Sequence, residues 1–218
     1  MTEQPWSHHP PRLAITGGIG SGKSTALAFL RELGAATLSS DDVVHALYAD
    51  PDVQAALARR FGPEVVGENG VERAVLGCLA FDDPEALSWL EELTHPLVRR
   101  IVEEWATRQS QLPEPPAILV VEVPLLFESG AMLGLFDCVL LVTAPADVRR
   151  RRVAAKLTAE EFDRRMQRQL DEAVKAERSH FVYENTGSRR HMREFIAETF
   201  ASILSCAAAA DDEARGGR

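Results

Sequence analysis

Residues Gly17-Gly18-Ile19-Gly20-Ser21-Gly22-Lys23-Ser24-Thr25 fit the phosphate-binding pattern G-x-x-x-x-G-K-[ST]. In that pattern the backbone N–H groups of the loop and the positive end of the following helix converge on one point. A polyphosphate is the ligand that suits such a point. Gly18, Gly20 and Gly22 permit backbone angles and close approach that a Cβ forbids. Lys23 is placed to reach β- and γ-phosphates, and the Ser24 hydroxyl to ligate Mg²⁺.

Three further features carry candidate chemistry. Asp41 follows a short apolar run. Read alone, it is a helix N-cap for Asp42 to Ala49; in a phosphotransferase it is a carboxylate able to orient a hydroxyl. Glu122 is acidic inside an apolar strand pattern, where a charge is costly unless paired or near metal. Water-mediated support of Mg²⁺ and pairing with a lid or loop cation are both open for it. The run Arg149-Arg150-Arg151-Arg152 opens a cationic segment, 147–178, in an acidic chain. Arginines on a closing lid can neutralise a transferring phosphoryl group. Part of that segment also reads as a solvated helix with i,i+4 pairs Glu160–Arg164, Glu161–Arg165 and Asp171–Lys175.

The elements that must position these residues follow from hydrophobic patterning. Arg12–Thr16 reads as a buried strand feeding the loop. Thr25–Leu33 reads as a helix with Leu27, Leu30 and Leu33 on one stripe and Gly34 as its stop. Ala35–Ser39, Ala117–Val123 and Cys138–Val142 are further strand candidates, with Phe181–Tyr183 at an edge. Helical patterns separate them, so the expected class is α/β, a five-stranded parallel sheet with helices on both faces. Ser39 and Ala117 lie much further apart than the ~30 residues of a strand–helix–strand unit. The intervening stretch is helical in pattern. Asp52–Phe61 is one helix. The longest, Pro84–Gln109, is capped by Asp82 or Asp83, with Leu87, Leu90, Leu93, Leu97, Ile101 and Trp105 on one face and a kink or break expected at Pro96. A second substrate is the expected tenant of such an insertion.

Composition sets limits. A net charge of −9 argues against nucleic-acid binding through a basic surface. Three widely separated cysteines form no zinc pattern or disulfide framework, which points to a reduced, cytoplasmic setting. No apolar run approaches the ~20 residues a membrane helix needs. Residues 1–11, including His8 and His9, are polar without a secretory pattern and are expected to be a disordered tail, as are residues 206–218.

Longer blocks resemble the dephospho-CoA kinases. The matching residues are Ala14-Ile-Thr-Gly-Gly-Ile-Gly-Ser-Gly-Lys-Ser-Thr25, Gly34-Ala35, Asp41, Thr94-His95-Pro96-Leu97, Val123-Pro124-Leu125-Leu126-Phe127-Glu128, Arg165-Met-Gln-Arg-Gln169 and Asn185-Thr-Gly-Ser188. They occur in family order from residue 12 to about 200. The resemblance implies a P-loop kinase fold: a core of residues 12–44, 113–146 and 179–205, a CoA-binding insertion at 45–112 and a lid at 147–178. It implies Mg²⁺-dependent transfer from ATP to the ribose 3′-hydroxyl of dephospho-CoA. Asp41 and Lys23 fall at catalytic positions. Gly18, Ile19, Gly20, Ser21, Gly22, Lys23, Ser24, Thr25, Asn185 and Gly187 fall at the nucleotide site. Arg149, Arg150, Arg151, Arg152 and Arg165 belong to the lid. His95, Pro124, Leu125, Leu126, Phe127 and Glu128 line the acceptor site. The sequence departs from the family at Ser39-Ser40, where Asp-Ala usually precedes the catalytic aspartate, at Ala154-Ala155-Lys156 in a shortened lid, and at His180. Another small-molecule or nucleoside-monophosphate kinase, or an ATPase that transfers nothing, are the alternative activities.

Overall fold

A computed structural model of the chain describes residues 6–81 and 83–216. In chain order the first half comprises β1 (Arg12–Thr16), α1 (Lys23–Glu32), β2 (Ala36–Ser39), α2 (Ser40–Leu47), α3 (Pro51–Phe61), β3 (Val66–Gly67), β4 (Gly70–Val71), α4 (Arg73–Phe81) and α5 (Pro84–Ser110). There follow β5 (Leu119–Glu122), α6 (Leu126–Ser129), β6 (Cys138–Thr143), α7 (Ala146–Val153), α8 (Ala159–Gln167), α9 (Glu172–Glu177), β7 (Phe181–Glu184) and α10 (Arg189–Gly216). The chain divides into two compact units, one formed by its parts up to Leu38 and from Ala106 onward, the other by Ser39–Trp105.

The first unit is built on a five-stranded sheet of order β2-β5-β1-β6-β7. β1 runs parallel to both of its neighbours, with Ile15 opposite Glu122 and Thr16 opposite Leu141, and β6 runs parallel to β7. Strands buried on both faces read as continuous apolar runs, and Leu13, Ile15, Val120, Leu140 and Val142 are buried in one cluster with Leu27, Leu30 and Ile196. Parallel strands end together. The loops after β1, β5, β6 and β7 therefore share one edge of the sheet, the edge where ligands bind in open α/β folds.

α1 begins two residues earlier than its sequence pattern suggests, because Gly22 caps it in a left-handed conformation, φ +107°. At the other end Leu33 is exposed rather than part of the buried stripe, since the chain has already turned at Gly34, φ +95°.

The second unit has its own apolar cluster of Val53, Leu57, Val65 and Leu76, with Trp89, Leu90, Leu93 and Leu97 of α5 packed against it. Asp83 caps α5 by accepting the Glu85 and Ala86 N–H groups at 2.9 and 3.2 Å; the alternative cap, Asp82, lies outside the described residues. Pro96 does not divide this helix, which is continuous from Pro84 to Ser110. An interior proline costs ~3 kcal/mol, and burial of apolar side chains on either side of it opposes that cost. The deepest burial on α5 falls on Ala86, Val98, Val102 and Ala106 rather than on the leucine stripe.

Both expected tails differ from expectation where the structure describes them. Trp6 packs against the sheet cluster. The Ser7 and Arg12 N–H groups donate to the buried Asp137 carboxylate at 3.0 and 2.7 Å, and His8 Nδ1 lies 2.9 Å from it. The segment from Cys206 continues α10 to Gly216 instead of forming a coil; its alanines favour helix.

Candidate active site

The loop between β1 and α1 is held from below by its own lysine. Lys23 Nζ donates to the Gly17 carbonyl at 2.8 Å and the Gly18 carbonyl at 3.4 Å, and stands 3.8 Å from Glu122 Oε1 at the end of β5. This identifies a cation partner for Glu122, which the sequence leaves open between cation and metal. Ser21 is fully buried, Ile19 and Thr25 are half-buried, and Ser24 is exposed at the start of α1.

Asn185, just beyond β7, ties the loop from the side. Its Nδ2 donates to the Ser21 carbonyl at 2.7 Å, and its N–H to the Thr143 carbonyl at 2.7 Å. A Cβ on Gly22 would collide with that Asn185 amide, so close approach as well as positive φ requires glycine there. Gly187 is exposed in the same β7–α10 connection.

The four consecutive arginines on α7 divide by helical geometry. Residues three apart share a face, and Arg149 and Arg152 both reach the loop. Arg149 is only 2% exposed; its Nε donates to the Ala144 carbonyl at 2.9 Å, and its guanidinium presses on Gly18 where a Cβ would sit. Arg152 donates to the carbonyls of Gly20 and Ser21, each at 3.3 Å, and of Asn185 at 2.9 Å. Arg150 instead pairs with Asp163 and covers the Phe162 ring, and Arg151 pairs with Asp147 at 2.9 Å in solvent. Arg165 is exposed on α8.

The 124–128 block is split too. Leu126 and Phe127 are buried, Pro124 is half-buried with its carbonyl accepting from Thr16 Oγ1 at 3.3 Å, and Leu125 is exposed. Glu128 is engaged. Its Oε1 accepts the Leu170 N–H at 2.9 Å and lies 2.9 Å from Lys175 Nζ. Lys175 is fully buried; the expected solvent pair with Asp171 does not form, because Asp171 caps α9 through the Ala173 N–H. Sequence pattern gives no functional role to Lys175 or Glu172, and Gln169 enters only through the family-like block ending at it. An i,i+4 acidic partner made Lys175 look like a surface residue, and no local pattern marks it as buried.

In the second unit, Asp41 is exposed in the first turn of α2. It is not the N-cap. Ser39 takes that place, accepting the Asp42 N–H at 3.3 Å. His95 is half-buried on α5 beside Thr94, whose hydroxyl donates to the Leu90 carbonyl at 2.7 Å.

His180 acts structurally. Its Nδ1 accepts the Val139 N–H at 3.1 Å, and partial loss of water lowers its pKa below the usual histidine range. A proton on Nδ1 destroys that bond. Since the folded pKa lies below the unfolded value of ~6.5, the unfolded chain binds more protons between the two, and stability falls as pH drops below about 6.5. His180→Asn keeps an acceptor without titrating. Chemical denaturation at pH 8 and pH 5.5 should show a smaller loss in that variant; equal losses would remove His180 from the acid response.

The dephospho-CoA kinase family model matches residues 12–191. The chain belongs to the dephospho-CoA kinase family. It is 38% identical to a dephospho-CoA kinase of Brucella melitensis, covering 91% of this chain and 98% of that protein. It is 39% identical to one of Thermus thermophilus, covering 96% and 97%. Among solved structures, a Thermus thermophilus protein aligns with TM-score 0.75 at 38% identity, covering 91% of this chain and 98% of that one. A Campylobacter jejuni dephospho-CoA kinase aligns with TM-score 0.65 at 26% identity, covering 89% and 97%. A shikimate kinase from Acinetobacter baumannii, 15% identical with TM-score 0.52, shares the fold alone. Among the described residues no helix is long and apolar enough to cross a membrane, and no group of three His, Cys, Asp or Glu could hold a metal ion.

Proposed function

We propose that this chain transfers the γ-phosphoryl group of ATP to the ribose 3′-hydroxyl of dephospho-CoA, giving coenzyme A and ADP. The observation that carries the reading is the phosphate loop, with Lys23 beneath it and Arg149 and Arg152 against it, inside a family match over residues 12–191. Phosphoryl transfer needs alignment and neutralisation more than a strong base. The loop amides and Lys23 hold the β- and γ-phosphates. Arg149 and Arg152 add positive charge where negative charge accumulates. Asn185 and Gly187 flank the nucleoside. Asp41 orients the acceptor hydroxyl and takes its proton late. His95, Pro124 and Leu125 position the acceptor, with Leu126, Phe127 and the Lys175-paired Glu128 anchoring their turn from the core, and the helical insertion holds its CoA-like arm.

Mg²⁺ fits the donor set. Ser24 offers a hard oxygen ligand beside the loop, and Glu122 a carboxylate able to support the ion through water, as a cation that keeps several waters and shares phosphate oxygens requires. When bound, the ion neutralises charge on the transferring phosphates. A cytoplasmic setting agrees with the three free cysteines, of which Cys138 is buried and its thiol pKa raised by desolvation.

The test is ADP release with Mg²⁺–ATP and either dephospho-CoA or adenosine. Binding energy from the pantetheine arm positions the ribose, so adenosine should be the far poorer acceptor. Equal kcat/KM for the two would overturn the acceptor assignment. Release without either acceptor would mean an ATPase.

A further inference from the structure

Behind the phosphate loop lies a chain of buried and half-buried charges, of which the catalytic roles above use only Arg149. Lys175 Nζ, fully buried, stands 2.9 Å from Glu128 Oε1 and 3.7 Å from Glu172 Oε1. The same Glu172 Oε1 lies 3.6 Å from the Arg149 guanidinium, while Glu172 Oε2 accepts from the Thr143 hydroxyl at the end of β6. Arg149 in turn presses on Gly18, beside Gln169 Oε1. Two cations and two carboxylates thus alternate from the 124–128 turn to the phosphate loop.

Such a cluster is a poor way to gain stability. Desolvation of buried ions opposes their attraction, and apolar residues of like volume often serve as well or better. Its hydrogen bonding is also incomplete: Arg149 Nη1, Glu172 Oε1, Glu128 Oε2, Gln169 Oε1 and Lys175 Nζ make no hydrogen bond of good geometry. What the arrangement does achieve is sharing. One Glu172 oxygen lies between Lys175 and Arg149, so neither cation owns it, and Arg149 is left facing Gly18.

We propose that Lys175 is a positioning residue for phosphoryl transfer. By holding Glu172 in common with Arg149 it keeps the guanidinium against the phosphate loop, and by pairing with Glu128 it fixes the turn after β5 in the same register. The proposal rests on the phosphotransferase reading above. Without the Lys175 charge, Glu172 belongs to Arg149 alone and draws it off Gly18. A misplacement of about 1 Å at such a site costs on the order of 10²-fold in rate.

The experiment compares wild type, Lys175→Met, Lys175→Met/Glu128→Gln and Glu172→Gln. It measures Tm, ATP Kd, and kcat with ATP and dephospho-CoA. Lys175→Met strands a buried carboxylate and should lose both Tm and kcat. The double variant restores the charge balance, so Tm should recover while kcat stays about 10–100-fold down and ATP Kd moves less than about threefold. Recovery of kcat together with Tm would make Lys175 structural only and overturn the proposal. Glu172→Gln keeps the Lys175–Glu128 pair, so it should fold even where the double variant does not; normal kcat there also overturns it. An inactive wild type would instead refute the phosphotransferase reading.

Discussion

Asp41→Asn is expected to reduce kcat by about 10²–10⁴-fold, the contribution of a positioned acid–base group. The structure sharpens this substitution. Since Ser39 caps α2, the change at 41 leaves the cap bond to the Asp42 N–H in place. What is lost locally is one of two acidic side chains in the first turn, Asp41 and Asp42, worth ~0.3–1 kcal/mol with the helix dipole. Stability and ATP affinity should therefore stay close to normal while turnover collapses. Steady-state rates at saturating ATP and dephospho-CoA decide the matter. Near-normal kcat would move the proton-accepting role elsewhere, with Glu122 next in line.

Arg149→Gln should lower kcat by about 10²–10³-fold, the cost typical of removing one preorganised donor from developing negative charge. Arg151→Gln is its control. Arg151 is 72% exposed at its side chain and, among the described residues, pairs only with Asp147 one turn away, so its loss should leave kcat unchanged within error. The two variants remove equal charge from the same helix. A long-range effect of net charge would slow both alike, and a contact at the phosphate loop slows Arg149→Gln alone. Equal rates for both would take the arginine run out of the mechanism.

The strands of the five-stranded sheet were readable as apolar runs bounded by turn residues, and their parallel direction follows from the helices between them; the order of the sheet does not, and the two-residue β3 and β4 are too short to carry a pattern. Sequence pattern misplaced ends where a single glycine decides the turn, as at Gly22, whose left-handed backbone starts α1 early. It failed more deeply at Lys175. An acidic residue four positions earlier satisfies every local rule for a surface pair, and burial comes from Glu128, far away in the chain. In the arginine run, i,i+3 spacing alone separates Arg149 and Arg152 from the two between them. Asp41 was harder: a carboxylate after a short strand reads by itself as a cap, and the structure gives that place to Ser39 two residues earlier.

The Asp137 carboxylate, 1% exposed at its side chain, has consequences for where the chain may be cut. Its partners include the Ser7 and Arg12 N–H groups and the His8 ring. Starting the polypeptide at Arg12, as its polar, proline-rich beginning invites, removes two of those three and turns the third into a chain end. A buried carboxylate short of donors carries an unmet desolvation cost. Such a trimmed protein would carry a defect beside the first residue of β1 and, through that strand, at the root of the phosphate loop. Loss of activity after trimming would then report a broken anchor rather than a missing catalytic group.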